Sequence, residues 1–291
     1  MFCEERMIVE QLIQDCDDLP TFPDVYLRVK EVVEDPKASM VELARALSVD
    51  PAMTARVLRL VNSPFYGLSG KIETVSRAAS ILGMQPIHDL VLATSLATAF
   101  SKIQPDVMDM KTFWQHCVER GLLARALGQH CQLIDSERLF VGGLLCDIGH
   151  LVLYQKMPDL ATQVFERAKT EKVLRPKLEQ EKIGFEAAEV GACLLAYWHI
   201  PSNYQLSTRY HMSPSNATES SLELDIVHFV GVVVECQSLD IPREHWKQWL
   251  TIHGQELQTL PDEDLTRMLE SVQEGLSQTL DMFSPATEHA A

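Results

Sequence analysis

"DPAMTARVLRLVNSPFYG", Asp50 to Gly67, decides the fold class of this chain. Met53, Val57, Leu60 and Val61 return at the helical period on one face, and Arg56 and Arg59 fall off it. Asp50 before Pro51 supplies an N-cap and a proline at the first helical position. Asn62 stands near the helix C-terminus, where asparagine tolerates left-handed geometry, and Pro64 stops the helix. The loop that follows can be a cap and turn joining two helices. It can also be a ligand or partner loop formed by Asn62, Ser63 and Tyr66, with Arg56, Arg59, Lys71 and Arg77 as a positive rim. Ser63 has no base close in sequence and is a weak nucleophile candidate.

Working outward, apolar residues recur at three and four along nearly the whole chain, and sustained alternation is missing. The expected fold is all-α. Helices are predicted near 23–34, 40–48, 51–61, 75–82, 86–102, 110–131, 136–156, 158–173, 185–198, 201–211, 218–238, 242–252 and 262–282, after a first one near 5–16. Ser39 and Glu42 form a capping box, Gly83 reads as a C-terminal cap residue, and Pro86 opens the next helix. "VGVVVECQSL" has strand composition, yet Ile226, Val230, Val233 and Val234 continue the helical spacing of Leu222. "SPSNATES", Ser213 to Ser220, has loop composition and is expected to precede a C-terminal helical extension. There Leu265, Met268, Leu269, Val272, Leu276 and Leu280 make an apolar stripe for packing or for a partner.

The 291 residues are 46% apolar and 23% charged, which suits a globular chain with a substantial core. The net charge of −16 is concentrated at the two ends. Such a balance argues against nucleic acid and anionic membranes as partners. The apolar run "LVLATSLATAF" is too short to span a bilayer, and the start shows no secretory signal. Seven cysteines without a C-x-x-C read as reduced, mostly buried thiols in a cytoplasmic protein. Phosphate-binding glycine loops are missing. Trp114 and Trp198 read as core, whereas Trp246 and Trp249 in "REHWKQWL" pack an appendage or form a small interaction face.

"GLLCDIGHLVL", Gly143 to Leu153, carries Asp147 and His150 three apart on one predicted helical face, with Cys146 beside the acid. A carboxylate on such an apolar helix needs a partner.

The order of segments resembles the HDOD domain, a bacterial signalling module related to HD-type metal phosphohydrolases. The resemblance rests on "LPTFP" (19–23), Asp50 to Gly67, "VSRAASILG" (75–83), "FWQHC" (113–117), "GLLCDIGHLVL", "EKIGFEAAEVGACLLAYWHIP" (181–201) and "RYHMSP" (209–214). It implies a two-part helical bundle over 15–214, its C-terminal part resembling the HD fold. A helix extension, 1–14, precedes it, and a helical extension, 215–291, follows. It also implies a regulatory role rather than hydrolysis. At the family's metal-ligand positions stand His116, Cys146, Asp147, Ala187, Tyr210 and His211. Ala187 offers no side-chain donor, and Cys146 would have to be a thiolate. The expected site is therefore degenerate, with no catalytic residue, metal or cofactor. His116, Asp147 and His211, with Cys146 as a soft donor, are the positions for an adventitious ion; without one, the resemblance makes His116 or His211 the expected partner of Asp147. Signalling proteins in trans are the expected partners: a sensor kinase, a response regulator or a cyclic-dinucleotide enzyme. The alternatives are a divergent metal-dependent phosphohydrolase acting on nucleotides, and a sensor whose old pocket binds a nucleotide without cleaving it.

Overall fold

A computed structural model of the chain describes residues 2–14, 22–63, 66, 70–100 and 107–283. Residues 19–21, Pro64, Phe65 and Gly67 of the quoted segments lie outside the described residues. The helices, in chain order, begin with α1 (Phe2–Gln14), α2 (Asp24–Glu34), α3 (Met40–Leu47), α4 (Pro51–Val61), α5 (Val75–Leu82) and α6 (Met84–Ala99). Next are α7 (Met110–His130), α8 (Ser136–Leu145), α9 (Gly149–Lys156), α10 (Pro158–Glu171), α11 (Arg175–Lys182) and α12 (Ala187–Tyr197). Then come α13 (Ser202–Tyr210), α14 (Leu222–Ser238), α15 (Gln255–Gln258) and α16 (Asp262–Phe283), with a 3-10 segment at Arg243–Trp249. No strand occurs among the described residues, so the all-α reading holds.

The chain divides into two compact units. One comprises Met1–Leu19 and Ile103–Glu270, the other Pro20–Lys102 and Ser271–Ala291. In the second unit α6 is buried from Ile87 to Ala97 and packs against α2, α4 and α5. The caps read from sequence set its boundaries. Ser39 and Glu42 form the reciprocal capping box, and the Asp50 carboxylate accepts the Met53 N–H at 2.9 Å. Gly83 ends α5 at φ +97°, a region glycine enters without a Cβ penalty. Asn62 differs from expectation, with φ −88° rather than a left-handed value. Its side chain instead clamps Ile72, accepting the Ile72 N–H at 2.6 Å and donating to the Ile72 carbonyl at 2.7 Å.

The first unit is organised around α7, which packs against α8 and α14. The α7–α8 approach is so close that a Cβ on Gly143 would lie 2.7 Å from the Arg120 carbonyl oxygen. α9 crosses α12 as tightly: a Cβ on Gly149 would meet the Ala187 carbonyl oxygen at 2.0 Å. Only hydrogen at these positions lets the backbones meet.

Four elements depart from the sequence reading, one being the short helix α15, where none was expected between 252 and 262. The single helix expected over 136–156 is broken by turns at 146–148, which places Cys146 and Asp147 between α8 and α9. The segment 242–252 is a 3-10 turn, Arg243–Trp249, rather than an α-helix. Helix α11 was not anticipated, because "RPKLEQEK" offers little beyond Leu178 as an apolar anchor.

Candidate functional site

The break between α8 and α9 turns Asp147 into the interior of the first unit, where it is 6% exposed. Three cations from three helices surround it. Arg120 of α7 brings Nη1 to 3.2 Å from Asp147 Oδ2, and Arg175 of α11 brings Nη2 to 3.4 Å. His150 of α9 places Nδ1 2.8 Å from Asp147 Oδ1. Asp147 and His150 thus meet one turn apart, as their spacing suggested. The expected partner of Asp147, His116 or His211, is corrected: its ion-pair contacts are Arg120, Arg175 and His150.

The cluster extends in both directions. On α14, Glu235 accepts from Arg175 through both carboxylate oxygens, the Nε contact being 2.6 Å. Arg120 Nη2 stands 3.8 Å from the same residue. Arg175 also donates to the Tyr154 hydroxyl at 3.0 Å. On the other side, His150 Nε2 lies 2.7 Å from Glu179 Oε1, and the second Glu179 oxygen accepts the backbone N–H of Ala187 at 2.9 Å. Three carboxylates, Asp147, Glu179 and Glu235, therefore face three basic groups, Arg120, His150 and Arg175. Buried charges persist when they are paired in this manner.

The protonation states fit that balance. Burial pushes the Asp147 carboxyl up, but Arg120, His150 and Arg175 outweigh it and hold it well below the usual carboxylate range. Burial pushes Glu235 up as well, and Arg175 brings it below its ordinary value. For His150, burial and Arg175 act downward, yet Asp147 and Glu179 win and raise its pKa to about 9. His150 is thus an imidazolium at neutral pH.

The positions that the resemblance marked as metal ligands behave differently. Burial, with Arg120 and Arg175 nearby, lowers the pKa of His116 to about 4. Burial lowers His211 to about 4 also. His211 donates Nδ1–H to the Thr208 carbonyl at 2.7 Å and rests in the notch left by Gly231 of α14. Burial pushes the Cys146 thiol up to about 12, and its Sγ contacts the Gly143 carbonyl at 3.1 Å, so it is no ready thiolate donor. Ala187 contributes only its backbone N–H, to Glu179. Tyr210 lines a separate cavity of about 260 Å³ with Arg138, Ser207 and Glu223.

These residues do not fit a catalytic divalent ion. Among the described residues no group of three or more His, Cys, Asp or Glu side chains converges for one. Both Asp147 oxygens already face cations, and a metal at Asp147 would be repelled by two guanidinium groups.

In the other unit, Ser63 donates its hydroxyl to the Leu60 carbonyl at 2.7 Å, and Tyr66 is buried. Arg56 donates to the Thr98 hydroxyl, whereas Arg59 is exposed. Arg120, Arg175, Glu179 and Glu235 were not anticipated. A signal for Glu235 was present: a carboxylate directly after the apolar run "VGVVV".

Among solved structures, an HDOD domain protein of Geobacter sulfurreducens superposes with a TM-score of 0.75 at 19% identity, over 97% of this chain and 99% of the other. A proposed phosphohydrolase of Shewanella amazonensis SB2B gives a TM-score of 0.69 at 23% identity, over 94% and 96%. A proposed signal transduction protein of Marinobacter aquaeolei VT8 gives 0.71 at 20% identity, over 97% and 66%. At these identities the likeness is one of fold. An uncharacterised protein of Treponema pallidum (strain Nichols) is 23% identical over 233 residues, which are 78% of this chain and 44% of that protein, so this chain spans less than half of that relative's length. The HDOD domain matches residues 19–214, and the chain belongs to the HDOD family.

Proposed function

We propose that this chain is a non-catalytic signal-transduction protein of the cytoplasm that works by binding other signalling proteins. One observation carries the reading: the carboxylate at the family's metal position, Asp147, is neutralised by Arg120, Arg175 and His150. In HD-type hydrolysis a metal polarises the phosphoryl oxygen and activates water, and both tasks need open coordination positions. Guanidinium groups offer neither an exchangeable water nor a Lewis acid. They do hold α7, α9, α11 and α14 together, which suits a body whose task is to present a surface. We keep 15–214 as the signalling module and 215–291 as its extension, with a sensor kinase, response regulator or cyclic-dinucleotide enzyme as partner classes. The acidic chain and the lack, among the described residues, of any helix long and apolar enough to cross a membrane agree with partners of that kind.

The test is turnover. Purified full-length chain is incubated with a phosphodiester reporter and excess Mn²⁺, beside Asp147→Ala. No hydrolysis above the variant is expected. Turnover that disappears in Asp147→Ala would establish the enzyme reading instead.

A further inference from the structure

We propose that the first unit carries a binding site for a small amphipathic monoanion, a medium-chain or aromatic carboxylate, between α14, the 3-10 segment Arg243–Trp249 and the start of α16. A cavity of about 360 Å³ lies there. That volume is at the small end of the range for small-molecule sites. Phe229, Trp246, Leu250, Leu257 and Leu265 are among its apolar walls. The Trp246 indole is fixed, its Nε1–H donating to the Ile241 carbonyl at 2.9 Å, so a rigid aromatic wall faces the space.

The charged lining residues decide the ligand's charge. Arg243 and Lys247 both line the cavity, and neither has a carboxylate partner among the described residues. The Arg243 guanidinium is held by neutral oxygens, donating to the Thr266 hydroxyl at 2.8 Å and to the Asp262 carbonyl at 3.1 Å. In a chain of net charge −16, two cations in the lining of one largely apolar cavity are a specific feature. Asp262 also lines the cavity and removes one unit of that positive charge. With Glu263 and Asp264 beside it, the first turn of α16 is acidic. Glu263 and Asp264 do not line the cavity, and Asp264 is paired with Arg267, so Arg243 and Lys247 against Asp262 leave the lining one net positive charge, which accommodates a single negative head and disfavours a phosphate dianion or a dicarboxylate. An apolar tail then covers the Trp246 wall, and the gain comes from removing apolar surface from water.

Decanoate serves as the probe, measured by calorimetric titration of the full chain, with decanol as the neutral comparison and decyl phosphate as the dianion. One decanoate per chain is expected, binding at least about tenfold more tightly than decanol and more tightly than decyl phosphate. Lys247→Glu changes an exposed side chain and should leave the melting temperature in place while weakening decanoate about tenfold and decanol hardly at all. Leu250→Trp should fill the cavity and abolish binding of both. The proposal fails if decanoate shows no saturable binding in the millimolar range, or if it binds equally well to Lys247→Glu. Turnover of a phosphodiester by the chain would leave this outcome untouched, since no residue is shared with the Asp147 cluster.

Discussion

Replacing Asp147 by alanine removes the centre of the buried cluster. The parent balances Asp147, Glu179 and Glu235 against Arg120, His150 and Arg175. The variant leaves three basic groups facing two carboxylates, all of them buried. Breaking a buried pair from one side costs roughly 3–5 kcal/mol, against about 0–1 kcal/mol at an exposed site. For a unit of this size a loss of 1 kcal/mol lowers the melting temperature by about 2–4 °C, so a drop on the order of 6–20 °C is expected. The assay can be confined to the right unit. All four tryptophans, Trp114, Trp198, Trp246 and Trp249, fall within Ile103–Glu270. Their fluorescence during urea or thermal unfolding reports the unit that holds Asp147, which avoids treating a two-unit chain as a single transition. Asp147→Asn should fall between the two, because an amide keeps hydrogen bonding but loses the charge. A melting temperature within about 2 °C of the parent in both variants would refute the reasoning, for it would mean that Asp147 does not neutralise its neighbours.

Other perturbations follow from the same contacts. His150 is raised from 6.5 to about 9 in the folded chain, so its stabilising contribution is full below pH 6.5 and is lost as pH rises through about 9. His116 and His211 are lowered to about 4, so theirs is full above pH 6.5 and is lost as pH falls through about 4. Tryptophan-monitored stability should therefore peak near neutrality, and His150→Gln should remove most of the alkaline decline, which urea titrations at several pH values will check. Gly149→Ala places a Cβ against the Ala187 carbonyl oxygen and should cost at least about 3 kcal/mol, or prevent folding of the unit, as read by soluble yield and tryptophan emission.

How much of this was legible in the sequence depends on where the physical signal was local. Helices α4 and α5 have the limits that their periodicity and flanking residues indicated, with Asp50 and Pro51 opening α4 and Gly83 closing α5. Capping chemistry is written within four residues, so it survives translation into structure. The break at Cys146–Ile148 was not visible, because "LLCDIGHL" keeps its apolar residues on either side of the turn and contains no proline. The partners of Asp147 come from Arg120, 27 positions earlier, and Arg175, 28 later. No spacing rule links residues so far apart. Arg175 and Glu179 sit in a segment whose composition reads as a solvated helix face, and only the packing of α11 reveals them as interior. The shortage of donors at Cys146 and Ala187 was readable from the family resemblance. The placement of the Arg120 and Arg175 guanidinium groups against Asp147 was not, since it is a property of the assembled helices.

Equilibrium dialysis of the full-length parent chain against Mn²⁺, followed by metal analysis of the retained protein, addresses the cluster most directly. If Arg120, His150 and Arg175 neutralise Asp147, the retained ion stays at the level of the Asp147→Ala control. Retention of about one Mn²⁺ per parent chain, lost in Asp147→Ala, would show that the carboxylate still serves a metal and would contradict the account.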